Sequence, residues 1–209
     1  GFSGQPIRID PREGTVQATP DLHHAAGVMA HEFGHLLGLP DLFDTQWTDN
    51  PTTPERDSAG IGRWGLMGWG ALGWDDAPGP AALSAWSRFR LGWAQVDLVE
   101  GRESEVEIEP VAWAGQMSQI LLSGNEYFLL EYRDHAASYY DRGIPADGLL
   151  VWHVRRAEVE GDLAFWWDVD LECADGRWAD AGYPSGSVSA PLDGEDNLDF
   201  WAHDAAYME

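Results

Sequence analysis

The chain of 209 residues has no lysine and a single cysteine, Cys173, and no uninterrupted apolar run long enough to cross a bilayer. Each shortage excludes something. One thiol cannot form an internal disulfide and rules out a cysteine-rich zinc module. The missing apolar run, about 18 residues at minimum, argues against a membrane-spanning helix. Only 12 basic residues, all Arg, face 36 Asp and Glu, for a formal net charge of −24. Phosphate backbones and anionic lipid surfaces are bound by clustered positive charge, so neither nucleic acid nor a membrane is expected as a partner. The chain opens on Gly1 with no initiator Met and no secretory leader, and is expected to be a processed product or a fragment.

What is present argues for a packed core. Apolar residues make up 44% of the chain and there are 12 Trp, which is incompatible with the low hydrophobicity of disordered chains. The acidity is uneven: residues 1–100 carry 13 acids and 6 Arg, residues 101–209 carry 23 acids and 6 Arg. A solvated, solubilising surface explains such an excess, and so do bound divalent cations.

Residues 6–10 read as one short strand. Thr19-Pro20-Asp21 then forms a helix start, with Thr as N-cap, Pro at the first helical position and an acid in the first turn. Leu22, Ala25, Ala26, Met29, Phe33, Leu36 and Leu37 follow at helical spacing, and Gly38 serves as a left-handed stop before Pro40. Residues 41–79 show no long periodicity and read as an irregular connection of a length that is often functional. Gly79-Pro80 is expected to open a second helix that turns Leu83, Trp86 and Phe89 inward and ends near Gly92. After Trp93 the period changes. Val106, Ile108 and Val111 suggest an acidic strand, followed by strands at 120–122, 127–132 and 149–154. The expectation is an α+β protein with a helical, loop-rich domain at 1–95 and a β-rich, acidic region at 96–209.

Chemistry concentrates in His31-Glu32-Phe33-Gly34-His35, continuing through Gly38 to Asp41. On a helix, His31 and His35 leave one face a turn apart, a separation suited to two imidazole nitrogens on one Zn²⁺. Glu32 points beside such a metal and can take a proton from water there. A catalytic zinc needs a third protein ligand, and the turn at Gly38 lets Asp41 swing back to supply it. A polar helix face, or a structural zinc, would use the same residues with no task for Glu32. Downstream, Met67 lies in Gly65-Leu66-Met67-Gly68 and reads as a soft floor beneath the metal, or else as a gap-filling core residue. His153 reads as a hydrogen-bonded sheet histidine, and Glu126, Glu131 and Arg133 as cross-strand pairs.

With these motifs, Trp64-Gly65-Leu66-Met67, Leu83-Ser84-Ala85-Trp86, Leu91-Gly92-Trp93, Tyr127 to Arg133 and Gly148 to Val154, the sequence resembles the immune inhibitor A-like family of secreted bacterial zinc metallopeptidases in the metzincin clan. The resemblance implies a metzincin-like core of active-site helix, Met-turn and second helix, with His31, His35 and Asp41 as zinc ligands, Glu32 as general base and Met67 as the Met-turn residue. It implies a secreted endopeptidase acting as a monomer on protein or peptide substrates. It also implies structural calcium, for which Asp193, Glu195, Asp196, Asn197 and Asp199 are the candidate cluster. The chain departs from the clan in two ways. Only 30 residues precede His31, so the N-terminal subdomain is expected to be truncated, and Trp69 stands where some members place a Tyr that helps stabilise the tetrahedral intermediate. The alternative reading is a non-catalytic surface or binding module with a structural or vestigial zinc site.

Overall fold

The computed structural model describes residues 20–43, 45, 60–74, 77–101, 105–124, 126–144, 146–155, 168–172 and 201–202. The expected strand at 6–10, the calcium candidates Asp193, Glu195, Asp196, Asn197 and Asp199, and Thr19 as N-cap lie outside them.

Helix α1 spans Pro20–Leu36. It ends at Gly38, whose φ of 88° is the left-handed conformation expected for its stop. Its packing differs from the expected apolar face. Met29, Phe33 and Leu36 are 72%, 58% and 81% exposed, whereas Gly27, His31 and Gly34 are buried. These three, at i, i+4 and i+7, form a stripe of two glycines and one imidazole that lies directly against the chain at 66–71. A Cβ on Gly27 would sit 1.8 Å from the Ala71 carbonyl oxygen, and one on Gly34 would sit 2.4 Å from Met67 Sδ. Small residues admit this approach and larger apolar ones do not, so the smaller stripe wins the interior.

The connection after α1 is irregular but closely bonded. It holds 3₁₀ turns at Gly62–Trp64 and Trp69–Ala71 and a two-stranded ribbon, β1 (Gly73–Trp74) and β2 (Ala77–Pro78). Helix α2 covers only Ala85–Leu91, six residues later than the sequence suggests. Ser84 is its N-cap, accepting from the Ser87 amide at 3.3 Å, and Gly92 ends it at φ 67°. Residues 81–83 stay outside the helix because their backbone groups bond elsewhere. The Ala81 amide donates to the Gly70 carbonyl, the Ala82 carbonyl accepts from the Leu66 amide, and the Leu83 carbonyl accepts from two arginines.

Among the described residues, the rear half holds a six-stranded sheet. β3 (Gln95–Leu98), absent from the sequence reading, pairs parallel to β4 (Gln116–Ser123). β5 (Glu126–Arg133) and β6 (Gly148–Arg155) continue antiparallel, and β6 carries both β7 (Val169–Leu171) and β8 (Trp201–Ala202) on its far edge. The expected acidic strand at 106–111 does not form. Residues 105–109 have no ladder partner among the described residues, Pro110 makes one isolated bridge to Tyr132, and Val111–Ala114 is a short helix, α3. Pro110 lacks the N–H a ladder needs, and Glu105, Glu107 and Glu109 remain in solvent.

Leu39, Leu42, Trp64, Met67, Ala85 and Trp86 from the front half pack in one buried cluster with Met117, Leu129, Leu150 and Trp152 from the sheet. Each large side chain buried there contributes about 1.5–3 kcal/mol. This places the inner face of β5 directly behind the loops that meet α1. The fold is α+β.

Candidate metal centre

His31 and His35 leave the inner side of α1 with ring centroids 4.8 Å apart and planes at 88°. Beyond Gly38 the chain reverses, and Asp41 returns to both: its Oδ1 lies 2.9 Å from His31 Nε2 and 3.4 Å from His35 Nε2. One ligating atom from each residue falls within 4.8 Å of the others. The residues that sequence spacing singled out are thus brought together in space.

The protons on the two rings follow from their other contacts. His31 Nδ1 lies 2.8 Å from the Leu66 carbonyl and His35 Nδ1 lies 2.8 Å from the Leu39 carbonyl. A carbonyl only accepts, so both Nδ1 atoms carry hydrogen and donate. In the neutral rings both Nε2 atoms therefore present lone pairs toward a carboxylate oxygen. Such a cluster is repulsive unless a positive charge sits within it. A proton on His31 is one solution. Burial opposes that charge, but hydrogen bonds to Asp41 and the Leu66 carbonyl, with the fields of Asp41 and Glu32, outweigh it and raise the His31 pKa. A divalent cation is the other. Ligands at ~2.0–2.1 Å around a tetrahedral zinc stand roughly 3.3 Å from one another, close to the separations seen here, so this donor set fits zinc.

Glu32 stays exposed, one residue past the first imidazole, and borders a cleft of about 150 Å³. Val28, Phe43, Trp69 and Leu72 give the cleft apolar walls, with Phe43 tilted against Trp69 at 5.4 Å and against His31 at 6.1 Å between ring centroids. Met67 is fully buried, with its sulfur against Gly34 between the two histidines.

Sequence reasoning missed the groups that aim the ligands. They are the carbonyls of Leu39 and Leu66, together with the Met67 carbonyl, which accepts from the Leu42 amide at 2.8 Å and so fixes the chain next to Asp41. Backbone acceptors carry no side-chain signature. The expected cross-strand pairs do not form at Glu131 and Arg133, which are buried and pair with each other along β5, Arg133 also with Asp141. Glu126 does pair across strands, with His153 Nε2 at 2.7 Å, and His153 Nδ1 reaches Glu172 at 2.8 Å. A second group of possible ligands, Asp134, His135 and Asp147, was not anticipated. Its members satisfy one another and the backbone: the His135 amide donates to Asp147, His135 Nδ1 lies 2.7 Å from the same oxygen, and Asp134 accepts from the Ala136 amide.

Two imidazoles one helical turn apart, a carboxylate closing the set and a glutamate beside it form the arrangement by which metallopeptidases hold and use a metal. The donor set here is of that kind. The comparisons agree: residues 13–98 match the family described as immune inhibitor A peptidase M6, catalytic domain. Over that stretch the chain is similar to the family its motifs indicate. It is 40% identical over 65 residues to the pre-pro-metalloprotease PrtV of Vibrio cholerae serotype O1, both in strain M66-2 and in strain ATCC 39315 / El Tor Inaba N16961. The aligned region is 31% of this chain and 6% of each relative, so the chain spans only a small part of their length. No solved structure matches. Among the described residues, no helix is long and apolar enough to cross a membrane.

Proposed function

We propose that the chain carries the catalytic centre of a secreted, zinc-dependent endopeptidase with a metzincin-like core. In this reading His31, His35 and Asp41 hold the zinc, Glu32 is the general base and Met67 is the floor beneath the ligands. Residues 1–95 form the catalytic part, and the described strands of the β-rich region at 96–209 pack behind it. The observation that carries the reading is the convergence of two imidazole lone pairs and one carboxylate oxygen at a point bordered by Glu32 and an apolar cleft. Secretion rests on the family resemblance.

When bound, zinc lowers the pKa of water and polarises the scissile carbonyl. The chain's own residues do the rest. The Leu66 and Leu39 carbonyls hold the proton of each neutral ring on Nδ1 and so leave the Nε2 lone pairs for the metal. Glu32, exposed at the cleft, accepts the proton of the attacking water and delivers it to the departing amine. Phe43, Trp69 and Leu72 receive an apolar side chain of the substrate and exclude water around the reacting bond.

The test is casein hydrolysis by the zinc-loaded chain and by its Glu32→Gln variant. We expect about one zinc per chain in both and a 10²–10⁴-fold lower rate in the variant. Equal rates would remove Glu32 from the mechanism. Full zinc occupancy with no hydrolysis of any member of a broad peptide library would favour the binding-module reading instead.

A further inference from the structure

On β5 the inner face reads Tyr127, Leu129, Glu131, Arg133, and all four side chains are buried. Two apolar residues are thus followed by an acid and a base at 0% and 2% exposure, within the core that joins sheet and loops. Arg133 makes four contacts. Nη1 donates to Asp141 at 2.6 Å, and Nη2 to Glu131 at 3.0 Å, to the Leu83 carbonyl at 3.1 Å and to the Trp64 carbonyl at 3.4 Å. Glu131 is held in turn by the Trp152 indole N–H at 2.8 Å and the Ala85 amide at 3.2 Å.

Such a network is a poor source of stability. Burying charges forfeits hydration that their mutual attraction scarcely returns, and apolar residues of like volume often do as well. Here Glu131 Oε2, Asp141 Oδ2 and Arg133 Nε also have no protein hydrogen-bond partner. What the network supplies is direction. Both carbonyls that Arg133 grips belong to the segments that aim the metal ligands. Trp64 begins the run 64–67, whose Leu66 carbonyl accepts from His31 and whose Met67 carbonyl accepts from the Leu42 amide beside Asp41. Leu83 belongs to the segment 81–83, which holds this run through the bond from the Leu66 amide to the Ala82 carbonyl. A rigid, planar guanidinium can bridge two carbonyls and two carboxylates at once, and a lysine ammonium cannot.

We propose that Arg133, fixed by Glu131 and Asp141, is a positioning residue of the metal centre: it sets the 64–67 run from behind, and through two backbone carbonyls orients His31 and Asp41. The inference rests on the zinc reading above and adds to it a part of the sheet that touches neither metal nor substrate.

The experiment measures zinc affinity of the full chain by competition with a chromophoric chelator, and the visible absorption of its Co²⁺ form, for the unaltered protein and Arg133→Lys. The lysine keeps the buried charge but loses the bridge. We expect far-UV circular dichroism and cooperative unfolding to persist, zinc affinity to fall 10–100-fold, and the Co²⁺ bands to shift as ligand geometry changes. Affinity within a factor of about two and unchanged bands would overturn the proposal, because a network that only stabilises the fold leaves both intact. Should Arg133→Lys fail to fold, Asp141→Asn, which weakens the grip without removing the guanidinium, is read the same way. Unfolding of both variants would show a purely structural network and also overturn the proposal. If the unaltered chain binds no zinc, the zinc reading falls and takes this inference with it. If it binds and the variant binds equally, only the inference falls.

Discussion

Replacing Gly27 by alanine adds one methyl group to the side of α1 that faces the metal, one turn before His31. That methyl would stand 1.8 Å from the Ala71 carbonyl oxygen and 2.9 Å from its carbon, where real Cβ atoms do not come within 3.0 Å. The obstacle is backbone, so it cannot rotate away, and the helix must retreat by more than an ångström. In an ordinary exposed helix the exchange would stabilise by about 1 kcal/mol, since glycine is the costlier residue. Overpacking a tight contact costs about 1–3 kcal/mol, and a backbone obstacle belongs at the upper end. The net expectation is destabilisation of about 2 kcal/mol, against the helix-propensity trend. The same retreat lengthens the 2.8 Å bond from His31 Nδ1 to the Leu66 carbonyl, and the loss of such an outer contact weakens metal binding about 10–100-fold. Denaturant unfolding of the metal-free protein measures the first effect and chelator competition the second. A Gly27→Ala protein as stable as the parent, with unchanged zinc affinity, would refute the argument that this close approach sets the ligand geometry.

Further outcomes follow from the same contacts. The His31 pKa is raised above its ordinary 6.5, so in the metal-free protein its contact with Asp41 contributes fully below that value and is lost as pH rises through the higher folded value. Metal binding runs oppositely because it needs the neutral ring: zinc retention in equilibrium dialysis between about pH 5 and 8 should fall on acidification, starting above the ordinary histidine range. Retention that is flat across the range would contradict this. Met67 is fully buried, so Met67→Ala should cost about 2–5 kcal/mol, whereas Met67→Leu should cost less than about 1.5 kcal/mol. Equal denaturation midpoints for the two would show that the floor position tolerates a cavity. Arg133→Met leaves two buried carboxylates without their cation and should cost about 3–5 kcal/mol by thermal unfolding, well beyond any surface arginine of the chain.

Much of the centre was legible from local pattern. The i, i+4 spacing of His31 and His35, a helix with a proline start and a glycine stop, and the return to Asp41 are short-range properties, and the structure brings those residues together. The strands at 116–123, 126–133 and 148–155 likewise declared themselves through branched and aromatic runs. Elements that depend on distant partners did not. Residues 81–83 stay outside the helix because residues 66, 70 and 133 take up their backbone groups, and 105–109 is not a strand because no described neighbour pairs with it.

The face of α1 shows where local information ends. Its sequence contains two stripes, one apolar through Met29, Phe33 and Leu36, the other small and polar through Gly27, His31 and Gly34. Periodicity counts hydrophobicity and favours the first, but packing depends also on how closely two backbones can approach, and that selects the second. Glu131 and Arg133 follow the same logic. Their place beside Tyr127 and Leu129 on an alternating strand fixes which way they point, a fact present in the residues themselves. That this direction leads to the carbonyls of Trp64 and Leu83 depends on loops some 50 to 69 positions away, and only the assembled fold supplies them. Residue identity and spacing set which donor atoms the chain can offer at one point; long-range backbone contacts aim them.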